Sequence, residues 1–502
     1  MTRVIPITPV AAPPETSTVW LYEKSAKLYP RAVSGRFAFW RWALVLATQL
    51  VFYGLPWLQW NGRQAVLFDL AARRFYVGPL VLYPQDFIYL TGVLLLSAFG
   101  LFLFTAVAGR LWCGYACPQT VYTEIFMAIE RWFEGDRVRR QKLDGAPWSF
   151  DKLWRKGGKH VVWVALALWT GFTFVGYFTP IQQLWAESFT LDFGPWEWFW
   201  VLFYGFATWG NAGFMREQVC KYMCPYARFQ SAMFDRDTLI IGYDVARGEP
   251  RGSRARNVDA RLVGKGDCID CTLCVQVCPT GIDIRDGLQY ECIGCTACID
   301  ACDGVMDKMG SPRGLIRYAT QNSISGGWSK AHDGAPLGLR TVPPSGTEPG
   351  FGRPGAGLTW RHVARPRVLI YCAILLLIAF GFALSLVLRT PFKVDVVRDR
   401  GALARLVGEG FVENSYRLQV MNATEAVQRY RVSVEGLAGA ALASGNEVEV
   451  GAAQARWMPV ALRLAPEAAA AAGAGVHKVR FTITMVSSGA TLVEKSTFVI
   501  PR

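Results

Sequence analysis

Five apolar runs set the architecture of this chain: residues 42–60, 87–108, 161–178, 196–214 and 368–388. Each has about the length that an α-helix needs to cross a bilayer core, ~20 residues. Hydrophobic residues make up 52% of the chain and charged ones only 18%, too apolar a balance for a water-soluble protein. Trp196, Trp198 and Trp200 crowd the head of the fourth run, as an interfacial belt does. A membrane α-helical protein of five spans is the expectation.

The loops orient it. Ten Lys and Arg residues, from Arg110 to Lys159, stand between the second and third runs, and none stands in 179–195. Positive charge marks the cytoplasmic side, so the N-terminus is expected inside and the C-terminus outside. Arg63, Arg73 and Arg74 in the first outer loop pull mildly the other way. The net charge of +14 is then a topology signal and a contact for anionic membrane lipid, with no nucleic acid required. The first 36 residues are polar and no cleavage signature follows the first run, which reads as an uncleaved anchor.

Eight of the thirteen cysteines form two quartets, Cys268, Cys271, Cys274, Cys278 and Cys292, Cys295, Cys298, Cys302. Each is C-x-x-C-x-x-C-x-x-x-C, the spacing of two-cluster bacterial ferredoxins, and Pro279 follows the first. In such modules the fourth cysteine of each run ligates the other 4Fe–4S cube. One cube is therefore assigned to Cys268, Cys271, Cys274 and Cys302, and the other to Cys292, Cys295, Cys298 and Cys278. Zinc sites usually draw on two separated pairs, a pattern absent here. Asp303 stands where a second proline would often follow, and it leaves the ligands intact. The tail 389–502 has no cysteine, so no disulfide framework is expected and the clusters belong in a reducing compartment.

A second constellation repeats at membrane boundaries. Cys113-Gly-Tyr-Ala-Cys117-Pro follows the second run and Cys220-Lys-Tyr-Met-Cys224-Pro the fourth. Cysteines four apart on a helix share a face, and the proline would loosen the carbonyl of Gly114 or Lys221. Four soft thiolates suit Cu(I), zinc or another iron–sulfur centre; the plain alternative is helix packing. Met127 and Met223 are possible thioether additions. His160, His332, His362 and His477 are scattered and take no role.

The chain divides into a cytoplasmic arm (1–36), the first four spans (37–214), a connector with the second thiol pair (215–264), a ferredoxin domain (265–322), a Gly/Pro-rich linker (323–366), the fifth span (367–388) and an exported domain (389–502). The linker's Gly350-x-Gly352-x-x-Gly355 has no preceding strand and fails as a dinucleotide site. In the tail, 416–421, 429–434, 447–450 and 478–485 alternate apolar and polar residues, which predicts an antiparallel Ig-like sandwich. The alanine-rich 468–474 reads as an edge loop, with a short helix as the alternative. Met421, Met458, Met485 and His477 are the soft ligands available there, and the sequon Asn422-Ala-Thr424 carries no argument.

This combination resembles the CcoG (FixG, RdxA) family of cytochrome c oxidase accessory proteins. Gly109-Arg-Leu-Trp-Cys-Gly-Tyr-Ala-Cys-Pro118 and Pro312-Arg-Gly-Leu-Ile-Arg-Tyr-Ala-Thr320 strengthen the match. The resemblance implies a bacterial inner-membrane homodimer that reduces Cu(II) to Cu(I) during assembly of cbb3-type oxidase. Its partners would be assembly factors or a copper chaperone, with an electron donor not identified by any motif. Copper would be handled near Cys113, Cys117, Cys220 and Cys224. The membrane half also resembles quinol-oxidising ferredoxin subunits, and a copper-holding scaffold without turnover is a third reading.

Overall fold

The structure is a computed structural model and describes residues 27–324 and 364–501 apart from 257, 261, 400, 402, 403 and 444. Most of the N-terminal arm, His332, His362 and the stretch 350–355 lie outside the described residues.

Among the described residues, four helices are long and apolar enough to cross a membrane: Arg36–Trp57, Pro84–Ala108, Phe150–Val175 and Pro366–Val387. The fourth apolar run of the sequence differs. It is α-helical only over Pro195–Thr208 and then widens into a π-helical turn, Trp209–Met215. Gly210, Asn211 and Gly213 give that turn little helix propensity. A Cβ on Gly213 would come within 3.1 Å of the Trp163 ring, so the turn wraps an indole that is fully buried. Gln119 takes up the loosened backbone, its Nε2 donating to the carbonyls of Asn211 (3.0 Å) and Arg216 (3.1 Å). Where Phe150–Val175 crosses Pro195–Thr208, Gly171 meets the Val201 carbonyl; a side chain there would force the helices apart.

The cysteine array and the tail domain lie at opposite ends of these helices. Before the helix Phe87–Ala108, Asp86 pairs with Arg389 (2.6 Å) and Lys393 (3.4 Å) of the tail. At its other end the Val107 carbonyl accepts the Leu239 N–H at 3.2 Å, beside the array. Leu239 leads into the strand Ile240–Tyr243, which pairs antiparallel with Ile316–Ala319 and closes the ferredoxin module. That module thus draws on chain well upstream of its first cysteine.

The tail is a sandwich of two antiparallel sheets. One runs Ala440–Leu442, Ala455–Leu464, Phe411–Asn422, Phe392–Arg398, with Arg405–Val407 on the end of Phe411–Asn422; the other runs Glu447–Val450, Gln428–Glu435, Gly475–Met485, Thr491–Ile500. Tyr416, Leu418, Tyr430, Leu462, Phe481 and Phe498 fill the space between them. The alanine stretch is not an edge loop: Pro466–Ala472 is a helix, with Pro466 in its first turn and Gly473 ending it at φ 76°. Alanine's helix propensity prevails there. Met421, Met458 and Met485 are buried, and His477 Nε2 meets the Gly473 carbonyl at 2.9 Å. Asn422 of the sequon is fully buried.

A meander absent from the sequence reading fills the loop between the first two membrane helices: Val66–Asp69, Arg74–Val77 and Leu80–Leu82. Leu67, Tyr76, Val81 and Tyr83 bury against Met421 and Ala453 of the sandwich.

Candidate iron–sulfur and thiol site

In both cysteine runs a threonine between the second and third ligand positions adopts the left-handed conformation, Thr272 (φ 55°) and Thr296 (φ 61°), and a helix follows, Leu273–Gln276 and Ala297–Met309. The two loops close around separate cavities. The first, about 360 Å³, is lined by Cys268, Cys271, Cys274 and Cys302 with Tyr243, Leu315 and Ile316. The second, about 330 Å³, is lined by Cys278, Cys292, Cys295 and Cys298, with Cys274 at its edge and Ile241, Ile284 and Ile293 as walls. The last cysteine of each run therefore crosses to the other run's cavity.

The donor sets fit 4Fe–4S cubes. Among the described residues no three His, Cys, Asp or Glu side chains close on the position of a single ion. Four thiols spread around a cavity suit a cube, whereas zinc thiolates stand ~2.3 Å from one centre. Burial raises the Cys292 thiol to about 11, and Cys302 to about 12. Such thiols give up their protons to bound metal. Cys271 is exposed, whereas no ligand position of the second cavity is.

The second cavity is the one keyed to the membrane helices. Arg41 Nη1 donates to the Cys295 carbonyl at 2.9 Å and Arg110 to those of Tyr290 and Cys292, the latter at 3.4 Å. The Tyr115 hydroxyl lies 2.7 Å from Thr296 Oγ1. Gly114 packs directly on the peptide between Gly294 and Cys295: a Cβ there would stand 2.6 Å from the Gly294 carbonyl and 2.8 Å from the Cys295 nitrogen. Gly114 lies inside the first thiol pair, so that pair touches a ligand loop of the second cavity.

The thiol pairs do not sit on continuous helices, contrary to the shared-face expectation. Cys113 belongs to the short helix Leu111–Tyr115, but Cys117 is extended (ψ 128°) and caps the next helix, Pro118–Glu134. Likewise Cys220 lies in a π-helical turn, Val219–Met223, and extended Cys224 (ψ 109°) caps Pro225–Met233. Each proline opens a new helix rather than disturbing an old one, because the residue before proline is driven out of the α region. The four thiols are neighbours that do not close on one point. Burial pushes Cys220 up to about 12, with further contributions from its neighbours Cys117, Cys113 and Cys224. Burial likewise pushes Cys113 up to about 11; its Sγ lies 3.5 Å from Gln230 Oε1.

Beside them opens a cavity of about 740 Å³ lined by both Cys220 and Cys295, together with Met127, Thr280, Arg41 and Arg131. Met127 is buried and lines the same cavity as Cys220, while Met223 is exposed. His160 packs among Trp163, Trp209 and Phe214.

Sequence reasoning missed Arg41, Arg110 and the ion cluster under this cavity. Glu130 is 1% exposed and receives Arg140 (2.6 Å), Arg216 (2.9 Å) and Lys159 (3.6 Å). Burial alone would raise its carboxyl, yet Arg216, Arg140 and Lys159 bring it below the usual range. A usable signal existed: Arg41 sits at the head of an apolar run, where an ionisable side chain asks for a partner.

Comparison with known proteins places residues 215–321 in a family described as a 4Fe-4S dicluster domain and residues 90–137 in one described as a 4Fe-4S binding domain. Residues 382–501 match the family described as an IG-like fold at the C-terminal of FixG. The chain is 40% identical over 443 residues to nitrogen fixation protein FixG of Rhizobium meliloti, spanning 86% of this chain and 84% of that one. It is 38% identical to protein RdxB of Cereibacter sphaeroides, spanning 86% of each. A crystal structure of a FixG-related protein from Vibrio parahaemolyticus aligns at 30% identity and a TM-score of 0.20, covering 22% of this chain and 97% of its own.

Proposed function

The chain belongs to the FixG/RdxA family of iron–sulfur electron-transfer membrane proteins, and from that premise we propose that it acts as a cupric reductase. It would convert Cu(II) to Cu(I) for copper delivery and assembly of cbb3-type cytochrome c oxidase. The observation that carries this is the seat of Gly114, which sets the thiol pair Cys113 and Cys117 against the Cys295 loop.

Cys268, Cys271, Cys274 and Cys302 would hold one 4Fe–4S cluster and Cys278, Cys292, Cys295 and Cys298 the other, and such clusters would supply single electrons at low potential. Reduction of Cu(II) consumes one electron and no proton, so no acid or base is required. The thiols of Cys113, Cys117, Cys220 and Cys224 favour the product, since thiolate prefers Cu(I). They do not close on one point, which suits an ion held by a pair and passed on. The 740 Å³ cavity at Cys220 gives it room to arrive.

In the topology that goes with this reading, Pro195–Thr208 and its π-helical extension make a fifth span, N-terminus inside. The cysteine array faces the cytoplasm of a bacterial inner membrane and the sandwich faces the periplasm. The ten basic residues between Arg110 and Lys159 support it. The protein would act as a homodimer, receive electrons from another protein and hand copper to an assembly factor or chaperone.

A second reading has its own support. The 4Fe-4S family match at 90–137 includes Cys113 and Cys117, so the four thiols could instead hold a further cluster on a quinol-linked path. One anaerobic experiment separates the two: reduce the purified protein, remove the reductant, add Cu(II), and follow cluster absorbance with a Cu(I)-selective chelator. Cluster reoxidation matched one for one by Cu(I) supports the reductase. Reduced protein that ignores Cu(II), and carries iron beyond two cubes, supports the second reading.

A further inference from the structure

We propose that Arg110, seconded by Arg41, is the counter-charge of the cluster at Cys278, Cys292, Cys295 and Cys298, and holds it at the higher reduction potential of the two. Arg110 is 8% exposed. Its guanidinium donates only to carbonyls, those of Tyr290, Cys292 (3.4 Å) and Ala227 (2.8 Å), and its Nε has no acceptor. Among the described residues it forms no ion pair with a carboxylate. A buried cation without a counter-ion is costly, and the tetrathiolate cube that fits the adjoining cavity is anionic. Arg41, 5% exposed, adds a second guanidinium at the same loop: it donates to the Cys295 carbonyl at 2.9 Å, though it is also paired with Glu124 at 3.4 Å.

The first cavity has the opposite balance. Its basic neighbour, Arg285, is held by Asp283 (2.6 Å) and Asp270 (2.5 Å), so two carboxylates more than cancel one guanidinium. Reduction adds a negative charge to a cube, and nearby positive charge stabilises that form and raises the potential. Solvent at exposed Cys271 opposes this, because water also stabilises the reduced form there. Arg110, buried and without a carboxylate partner, outweighs one solvent-facing thiolate, since charge acts more strongly where water is excluded. The arrangement orders the sites. The cavity with exposed Cys271 is open to a donor protein, and the one that draws electrons more strongly lies against Gly114 and the thiols.

The test is a redox titration of the purified full-length protein followed by electron paramagnetic resonance, with no copper present. It therefore stands or falls apart from the cupric-reductase reading and rests only on cluster binding. Cys271→Ser marks the signal of the first site. Arg110→Gln is expected to move the higher midpoint negative and leave the lower one in place, Arg110→Lys to retain most of the wild-type value, and Asp283→Asn to raise the lower midpoint. If Arg110→Gln loses iron, Arg110→Met and Arg41→Gln are titrated in its stead, each expected to lower the higher midpoint. Unchanged midpoints in the variants that retain iron, or a shift confined to the signal that Cys271→Ser alters, would overturn the proposal.

Discussion

Asp300, on the helix behind the second cysteine loop, accepts the backbone N–H groups of Phe37 (3.2 Å) and Ala38 (2.7 Å) and so caps the first membrane helix from another domain. The N-cap position itself is Gly35, which has no side chain to do so. Asp300→Ala should cost about 1–2 kcal/mol of local stability, the range for a lost cap. Hydrogen exchange at Phe37 and Ala38 should quicken about tenfold while Asp300→Asn stays near the wild type. Equal protection in the alanine variant would show that the cap contributes nothing.

Gly114→Ala places a methyl group where the Gly294 peptide lies. Backbone cannot rotate away as a side chain can, so the two elements must separate. Overpacking of this kind costs about 1–3 kcal/mol. The variant is expected to keep its iron, melt at a lower temperature and reduce Cu(II) more slowly. Wild-type rates would disconnect the contact from electron delivery.

Glu130 anchors three cations in a nearly dry site. Removing one member of a buried charge cluster costs about 3–5 kcal/mol, because its partners are left unpaired. Glu130→Gln should therefore lower the unfolding midpoint in detergent far more than Arg155→Gln, which breaks an exposed pair with Asp151 and one hydrogen bond to the Phe133 carbonyl.

Asp144 ties the segment after the N-terminal arm to the boundary helices. It accepts from Tyr29 (2.6 Å) and pairs with Lys27 (2.7 Å) and Lys156. Partial burial would raise its carboxyl, but hydrogen bonds from Lys156, Lys27 and Tyr29 hold it well below the usual carboxylate range. A depressed folded-state value contributes stability that is complete above about pH 4 and fades as acid protonates the group. Limited proteolysis around Lys27 should accelerate below about pH 4 in the wild type. In Asp144→Asn it should be fast at every pH.

How far the sequence could be read follows from the range of each interaction. The cysteine spacing encodes a local loop, so a 4Fe–4S dicluster module is legible from residue numbers alone. The sandwich strands were legible because alternation is local too. The break at Cys117 and Cys224 runs against the spacing, which suggests one helix through each pair: Pro118 and Pro225 open new helices, since proline suits a helix's first turn. The meander escaped because its strands have only three or four residues. They hold shape by burying Leu67 and Val81 near Met421, more than three hundred residues away. Arg63, which argued against the orientation, is occupied in that same contact: it pairs with Glu425 and stacks on Tyr76. Its charge serves packing.

That contact also changes what the tail domain can be. Tyr83 donates its hydroxyl to the Asn422 (2.9 Å) and Gln454 (3.2 Å) carbonyls, and Arg389, just past the last span, is locked to Asp86. A domain fastened both where it leaves the membrane and along its flank has no leash to swing on. It stands at a set height above the lipid, closer to a gauge than an arm.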